Sequence, residues 1–208
     1  MKRNRSMMRY LSVRLVITLV LFALFMPAAD CDSAGAVNER DHWYLTCYGG
    51  AVSADTIIDV MSGNADYGGS YNLIAAALGR EIGRFGEHVS FELEGQAVKH
   101  FGGEDYLEFN GVIVGRWQTF PWKEHVKTSV AVGEGLSYAT DIPEVERKDH
   151  NNVSRLLNYL SFETAFSLPE IPQWSLIVRL HHRSGVFGLF KGVYGASNAL
   201  CAGIRYDF

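Results

Sequence analysis

The chain has 208 residues, of which 48% are hydrophobic and 20% charged. That length suits one domain, and the composition excludes an intrinsically disordered protein. The formal charge is −4; residues 37–208, taken without the basic leader, hold 14 Lys+Arg against 21 Asp+Glu, a formal charge of −7, which argues against nucleic acid as a partner.

Residues 1–36 read as a cleaved secretory signal peptide. Lys2, Arg3, Arg5, Arg9 and Arg14 form a basic region, Leu15 to Ala29 an apolar run, and Ala34 to Ala36 an A-x-A cleavage signal. The apolar run has 15 residues, whereas a spanning helix needs about 20, so an uncleaved anchor is disfavoured. A lipoprotein anchor at Cys31 is the weaker alternative, because Asp30 rather than a small residue precedes it. Export leaves Cys47 and Cys201 in an oxidising compartment, where a disulfide is allowed but not required.

The mature chain, residues 37–208, has no later apolar run long enough for a spanning helix. It shows alternating segments instead, expected at 43–52, 69–82, 87–100, 105–119, 127–140, 154–168, 173–184 and 196–208. In "HVSFELEGQAV", Val89, Phe91 and Leu93 share one face while Ser90, Glu92 and Glu94 share the other. Toward the C-terminus, Leu200, Ala202, Ile204, Tyr206 and Phe208 alternate with Cys201, Gly203, Arg205 and Asp207. Residues 53–68 extend the first strand or form a long loop.

A period of two over about ten residues is the pattern of a transmembrane β-barrel strand. A soluble sandwich or lipocalin-like barrel shows the same alternation with its apolar face turned inward. Two features favour the membrane form: the chain closes an alternating strand on an aromatic residue, and Trp117, Phe120, Trp122, Trp174, Tyr206 and Phe208 fall near one set of strand ends, as an interfacial girdle does. The expectation is an all-β, eight-stranded antiparallel transmembrane barrel with a lumen filled by side chains. Short turns near Phe85, Trp122 and Pro172 would be periplasmic; the longer connections would face outward.

Strand seven, "WSLIVRLHHRS", divides its chemistry between two faces. Counting by twos, Trp174, Leu176, Val178, Leu180, His182 and Ser184 face lipid, while Arg179, His181 and Arg183 face the lumen. Polar groups on a lipid-facing surface are costly and therefore functional candidates. The last strand returns alongside, so His182, Ser184 and Asn198 can share an exterior patch near the outer rim. Serine needs a base and the base needs an orienting group, roles that His182 and Asn198 can fill for Ser184. Arg179, Arg205, Glu92, Glu94 and Glu163 are expected to form a paired lumen network, with His181.

The signal peptide, the small barrel, the His-x-Ser motif at His182 to Ser184 and the alternating last strand together resemble the outer-membrane lipid A 3-O-deacylase (acyloxyacyl-hydrolase-like) family. The resemblance is architectural over most of the mature chain, and its motif lies within about the last 30 residues. It implies a serine-type carboxylic ester hydrolase that removes an acyl chain from lipid A, with Ser184 as nucleophile and His182 as base. The family carries a glutamate on the last strand where this chain has Asn198, and commonly a polar residue after the serine where this chain has Gly185, which offers its backbone N–H. Arg183, Gly185 and Lys191 are the candidate substrate-binding residues. Lipid A of lipopolysaccharide and the bacterial outer membrane are the expected partners, and a homodimer is allowed. No metal-ligand spacing or glycine-rich nucleotide loop suggests a cofactor. The competing function is a catalytically weak or inactive small barrel with a structural, adhesion or ligand-binding role.

Overall fold

A computed structural model of the protein describes residues 42–208 except 69, 144–152, 187, 191 and 194–195. The leader and Lys191 lie outside the described residues. Eight antiparallel strands form a closed barrel in sequence order: β1 (Trp43–Ser53), β2 (Tyr71–Phe85), β3 (Val89–Gly102), β4 (Tyr106–Trp117), β5 (Lys127–Ala139), β6 (Leu156–Ser167), β7 (Trp174–Ser184) and β8 (Ala196–Asp207). Each expected segment corresponds to one of them, within a few residues at either end. The β1–β8 pairing closes the sheet, so no strand carries an unpaired edge.

The register fixes the tilt. Following paired residues around the wall leads from Trp43 through Arg80, Leu93, Ile113, Glu134, Leu160, His182 and Asn198 to Ser53, ten residues further along β1 than the start. With eight strands, that stagger inclines each strand by about 40° to the barrel axis. Side chains on this path all point outward, and the path climbs from the rim with short turns to the rim with long connections.

Alternation then builds two surfaces. Outward positions such as Ile74, Leu78, Leu93, Ile113, Val132, Leu176 and Ile204 are exposed and apolar. At the short-turn end Trp117, Trp174, Tyr206 and Phe208 form an aromatic rim, with Trp174 and Tyr206 centroids 4.7 Å apart. An apolar belt with an aromatic rim is a bilayer-facing surface. Among the described residues no helix is long and apolar enough to cross a membrane.

Inward positions are polar and paired. Arg179 donates both terminal nitrogens to Glu94, at 2.9 and 3.1 Å, and its Nε to Glu163 at 2.7 Å. Arg116 joins Glu92 (2.7 Å) to Glu163 (2.9 Å), and Arg205 reaches Glu92 at 3.3 Å. Glu108 lies between His100 and His181, at 2.9 and 3.0 Å. The lumen network expected from the alternation therefore includes Arg116, Glu108 and His100 as well. Around it, Tyr48, Leu73, Val98, Ile177 and neighbours form the buried apolar part of the interior.

Two local points differ from, or add to, the sequence reading. Residues after β1 form neither a strand extension nor a plain loop: α1 (Ile57–Ser62) is capped by Thr56, whose hydroxyl accepts from the Asp59 N–H, and is ended by Gly63 in the left-handed conformation at φ 75°. This short helix packs on β8. Cys47 is exposed on the outward face, whereas Cys201 is buried, and both thiols are free. Opposite faces of one sheet hold them apart.

Candidate functional site

β7 ends at the long-connection rim, and its outward face changes character there. Leu176 and Val178 are 67% and 47% exposed, whereas Leu180 and His182 are 4% and 8% exposed. On β8, Asn198 is 1% exposed, and on β1, Ser53 is 2% exposed. These positions are outward by register, so their burial comes from chain folded back against the barrel. Asp55 and α1, in the β1–β2 connection, lie over the outer end of β8. The exposed polar patch expected from alternation alone is therefore a covered one.

The register sets His182 directly opposite Asn198 and Asn198 directly opposite Ser53. His182 Nδ1 lies 2.7 Å from Asn198 Oδ1. On its other side, the Asn198 amide donates through Nδ2 to the Asp55 carbonyl oxygen at 2.6 Å. A carbonyl can only accept, so the amide nitrogen must face Asp55 and the amide oxygen must face His182. That oxygen can only accept in turn, so Nδ1 of His182 carries the proton and donates it. Nε2 keeps its lone pair, which is the tautomer a general base requires. Asp55 is itself held: its carboxylate receives the Ser53 hydroxyl at 3.2 Å and the Asp66 N–H at 2.6 Å.

Ser184 stands two residues beyond His182 on the same face, about 7 Å away along the strand, and is partly exposed. Among the described residues no hydrogen bond joins its hydroxyl to His182. The proposed nucleophile, base and orienting residue are thus brought to one face, with base and orienting residue in contact and the nucleophile adjacent.

The three expected substrate-binding residues fare differently. Arg183 points into the lumen and is 0% exposed; its guanidinium donates to Ser137 Oγ at 3.1 Å and to the carbonyls of Ser154 and Arg155 at 3.0 and 2.7 Å. It is occupied on the wrong side of the wall for a lipid phosphate, as its odd position in the alternation dictates. Gly185 is buried where the chain leaves β7, and a Cβ there would come within 2.1 Å of the Val193 carbonyl oxygen. Lys191 lies outside the described residues.

Two outward polar residues escaped the sequence reading. Glu134 on β5 is an exposed carboxylate between outward Val132 and Leu136, and Asn158 is an outward amide on β6. Asn158 sits directly opposite Ser184. The signal was present: alternation in "KTSVAVGEGLSYA" sets Glu134 among Val130, Val132, Leu136 and Tyr138, the apolar face of its strand. Among the described residues, no group of three His, Cys, Asp or Glu side chains is arranged to hold a metal ion.

No protein-family model matches the chain, and no curated protein matches it. Solved structures do. Neisserial surface protein A, NspA, aligns with a TM-score of 0.51 at 15% identity, over 80% of this chain and 97% of its own. The outer membrane enzyme PagL aligns with a TM-score of 0.52 at 15% identity, over 77% of this chain and 97% of its own. The fold is that of the small outer-membrane barrels. It is shared by proteins of different kinds and does not select an activity.

Proposed function

We propose that this protein is an esterase of the bacterial outer membrane that removes an ester-linked acyl chain from lipid A, with Ser184 as nucleophile, His182 as general base and Asn198 as the residue that orients it. The observation that carries the reading is the relay from Asp55 through Asn198 to His182. It holds an outward-facing imidazole, covered by the folded-back chain, in the tautomer that can take a proton, two residues from a serine on the same face of β7.

Ser184 Oγ attacks the ester carbonyl and passes its proton to His182 Nε2. The tetrahedral intermediate collapses, expelling the sugar hydroxyl, which takes the proton from His182, and water then hydrolyses the acyl-serine by the same sequence. Asn198 holds the ring but brings no negative charge to the imidazolium, so slow turnover is expected beside a carboxylate-bearing site. Mass spectrometry of lipid A from cells expressing the protein, Ser184→Ala or His182→Ala is the test. Loss of one acyl chain with the native protein alone is the expected result; an unchanged acyl pattern at full expression refutes it.

The second reading, a non-enzymatic barrel, draws support from the burial of His182 and Asn198. A structural or binding role survives Ser184→Ala, and an esterase role does not.

A further inference from the structure

The three most exposed large apolar side chains among the described residues are Leu189, Ile58 and Met61, at 78%, 69% and 68%. None of them lies on a strand. Ile58 and Met61 stand on α1, in the β1–β2 connection, and Leu189 stands in the β7–β8 connection, in a turn closed by its N–H on the Val186 carbonyl at 3.1 Å. Both connections meet the outer end of β8: α1 packs on that strand, and the other leads into it. Apolar residues exposed singly are ordinary; the three greatest exposures on the two connections that bound one strand need a cause.

The register gives the level of this chain in the membrane. From Glu134 the paired path climbs through Leu160 to His182 in two strand steps and to Asn198 in a third, about 6 and 9 Å along the barrel axis at normal strand spacing and tilt. Leu156, four residues beyond Leu160 on β6, stands about 13 Å above Glu134 by the same geometry. It is outward and 42% exposed, so the apolar belt on β6 reaches past the level of His182 and Asn198. On β7 and β8, however, the exposed apolar face stops at Val178 and Leu200, and Leu180, His182 and Asn198 are buried. The Asp55 carbonyl lies against the Asn198 amide, so the chain covering β8 there runs at belt level and itself faces lipid. α1 suits that place. The Thr56 hydroxyl donates to the Asp59 carboxylate at 2.6 Å, the Ser62 hydroxyl to the Asp59 carbonyl at 3.2 Å, and the Gly63 and Asn64 N–H groups to the Val60 and Asp59 carbonyls at 3.3 and 2.8 Å. With its polar groups held locally and Val60 buried against the protein, the helix turns Ile58 and Met61, one turn apart, outward.

We propose that α1 and the tip of the β7–β8 connection form a lipid-contacting surface, with Ile58, Met61 and Leu189 seated among the acyl chains of the leaflet at the long-connection rim. The surface continues the apolar belt across the outer ends of β7 and β8, where the strands themselves no longer present it. The inference rests on the barrel and its place in the outer membrane and does not need the esterase reading.

The test reads depth by spin labelling of the purified barrel in phosphatidylcholine vesicles. In a Cys47→Ala, Cys201→Ala background, single labels are attached after Met61→Cys and Leu189→Cys, after Leu176→Cys in the belt as the lipid reference, and after Glu87→Cys in the exposed β2–β3 turn as the water reference. Oxygen concentrates in hydrocarbon and a nickel chelate in water, so the ratio of their relaxing effects on the label reports its surroundings. That ratio is expected to be several-fold higher at Met61 and Leu189 than at Glu87, and close to the value at Leu176. A ratio at either position equal to that at Glu87 places it in water and overturns the surface. Spin–spin broadening at Met61 that vanishes on dilution with unlabelled protein identifies a second copy as the occupant and overturns the lipid assignment. Should Met61→Cys not fold, Ile58→Cys reads the same side of α1. The readout is not hydrolysis, so a label in water leaves the esterase reading standing, and a barrel that releases no fatty acid leaves this surface standing.

Discussion

Asn198 explains itself through two neighbours rather than one. Its oxygen accepts from His182 and its nitrogen donates to the Asp55 carbonyl, at 2.7 and 2.6 Å. A carboxylate would serve the first contact and oppose the second, because both it and a carbonyl are acceptors. Asn198→Asp, although it restores the negative charge usual in a serine triad, is therefore expected to destabilise the barrel by about 1–3 kcal/mol through repulsion at the partly buried contact with the Asp55 carbonyl. Urea unfolding of the two proteins in the same detergent measures this; equal midpoints would mean that the Asp55 contact contributes nothing. Sequence alone marked Asn198 as the residue on which the proposed site most depends. It could not say why the residue is an asparagine, because Asp55 is 143 residues away along the chain.

At the scale of elements, the seam between β1 and β8 joins the two ends of the barrel, and it is closely packed. A Cβ on Gly203 would lie 2.2 Å from the Cys47 carbonyl oxygen and 2.6 Å from Tyr48 Cβ, and Tyr48 in turn bonds Gln96 in the lumen at 3.0 Å. Gly203→Ala must push the β1 backbone or the Tyr48 ring, at a cost of about 1–3 kcal/mol for overpacking. The expected outcome is a smaller fraction of heat-modifiable, folded protein on gels run without boiling. The strand order and facing of this seam were legible from the alternation in Leu200 to Phe208, since a period of two survives whatever the partner strand is. The folding of α1 over the outer end of β8 was not, because the short stretch from Ile57 to Ser62 carries no periodic signal of where it docks.

For the whole molecule, the lumen is held by charge rather than by a hydrocarbon core. Arg116, Arg179 and Arg205 interleave with Glu92, Glu94 and Glu163, all largely buried. Buried pairs of this kind contribute little over apolar packing, but breaking one leaves an uncompensated charge in a site that water reaches poorly. Arg179→Met leaves Glu94 without its cation and Glu163 with Arg116 alone, and should cost about 3–5 kcal/mol. The loss should persist at high salt, because buried pairs are weakly screened. Unfolding midpoints at low and high ionic strength check both statements; a salt-dependent loss would imply that the lumen is open to bulk solvent.

Periodicity along the chain by itself determined the all-β class, the number and approximate limits of the strands, part of the lumen network, and the separation of His181 from His182. Each of these follows from the alternation of side chains across a strand, a local property. Only the tertiary structure decided which outward residues meet. It set Asn198 against both His182 and Asp55 and covered the outer end of β8 with α1. Those contacts depend on the stagger between strands and on where connections fold back, which pairing across the whole sheet fixes and no single segment encodes.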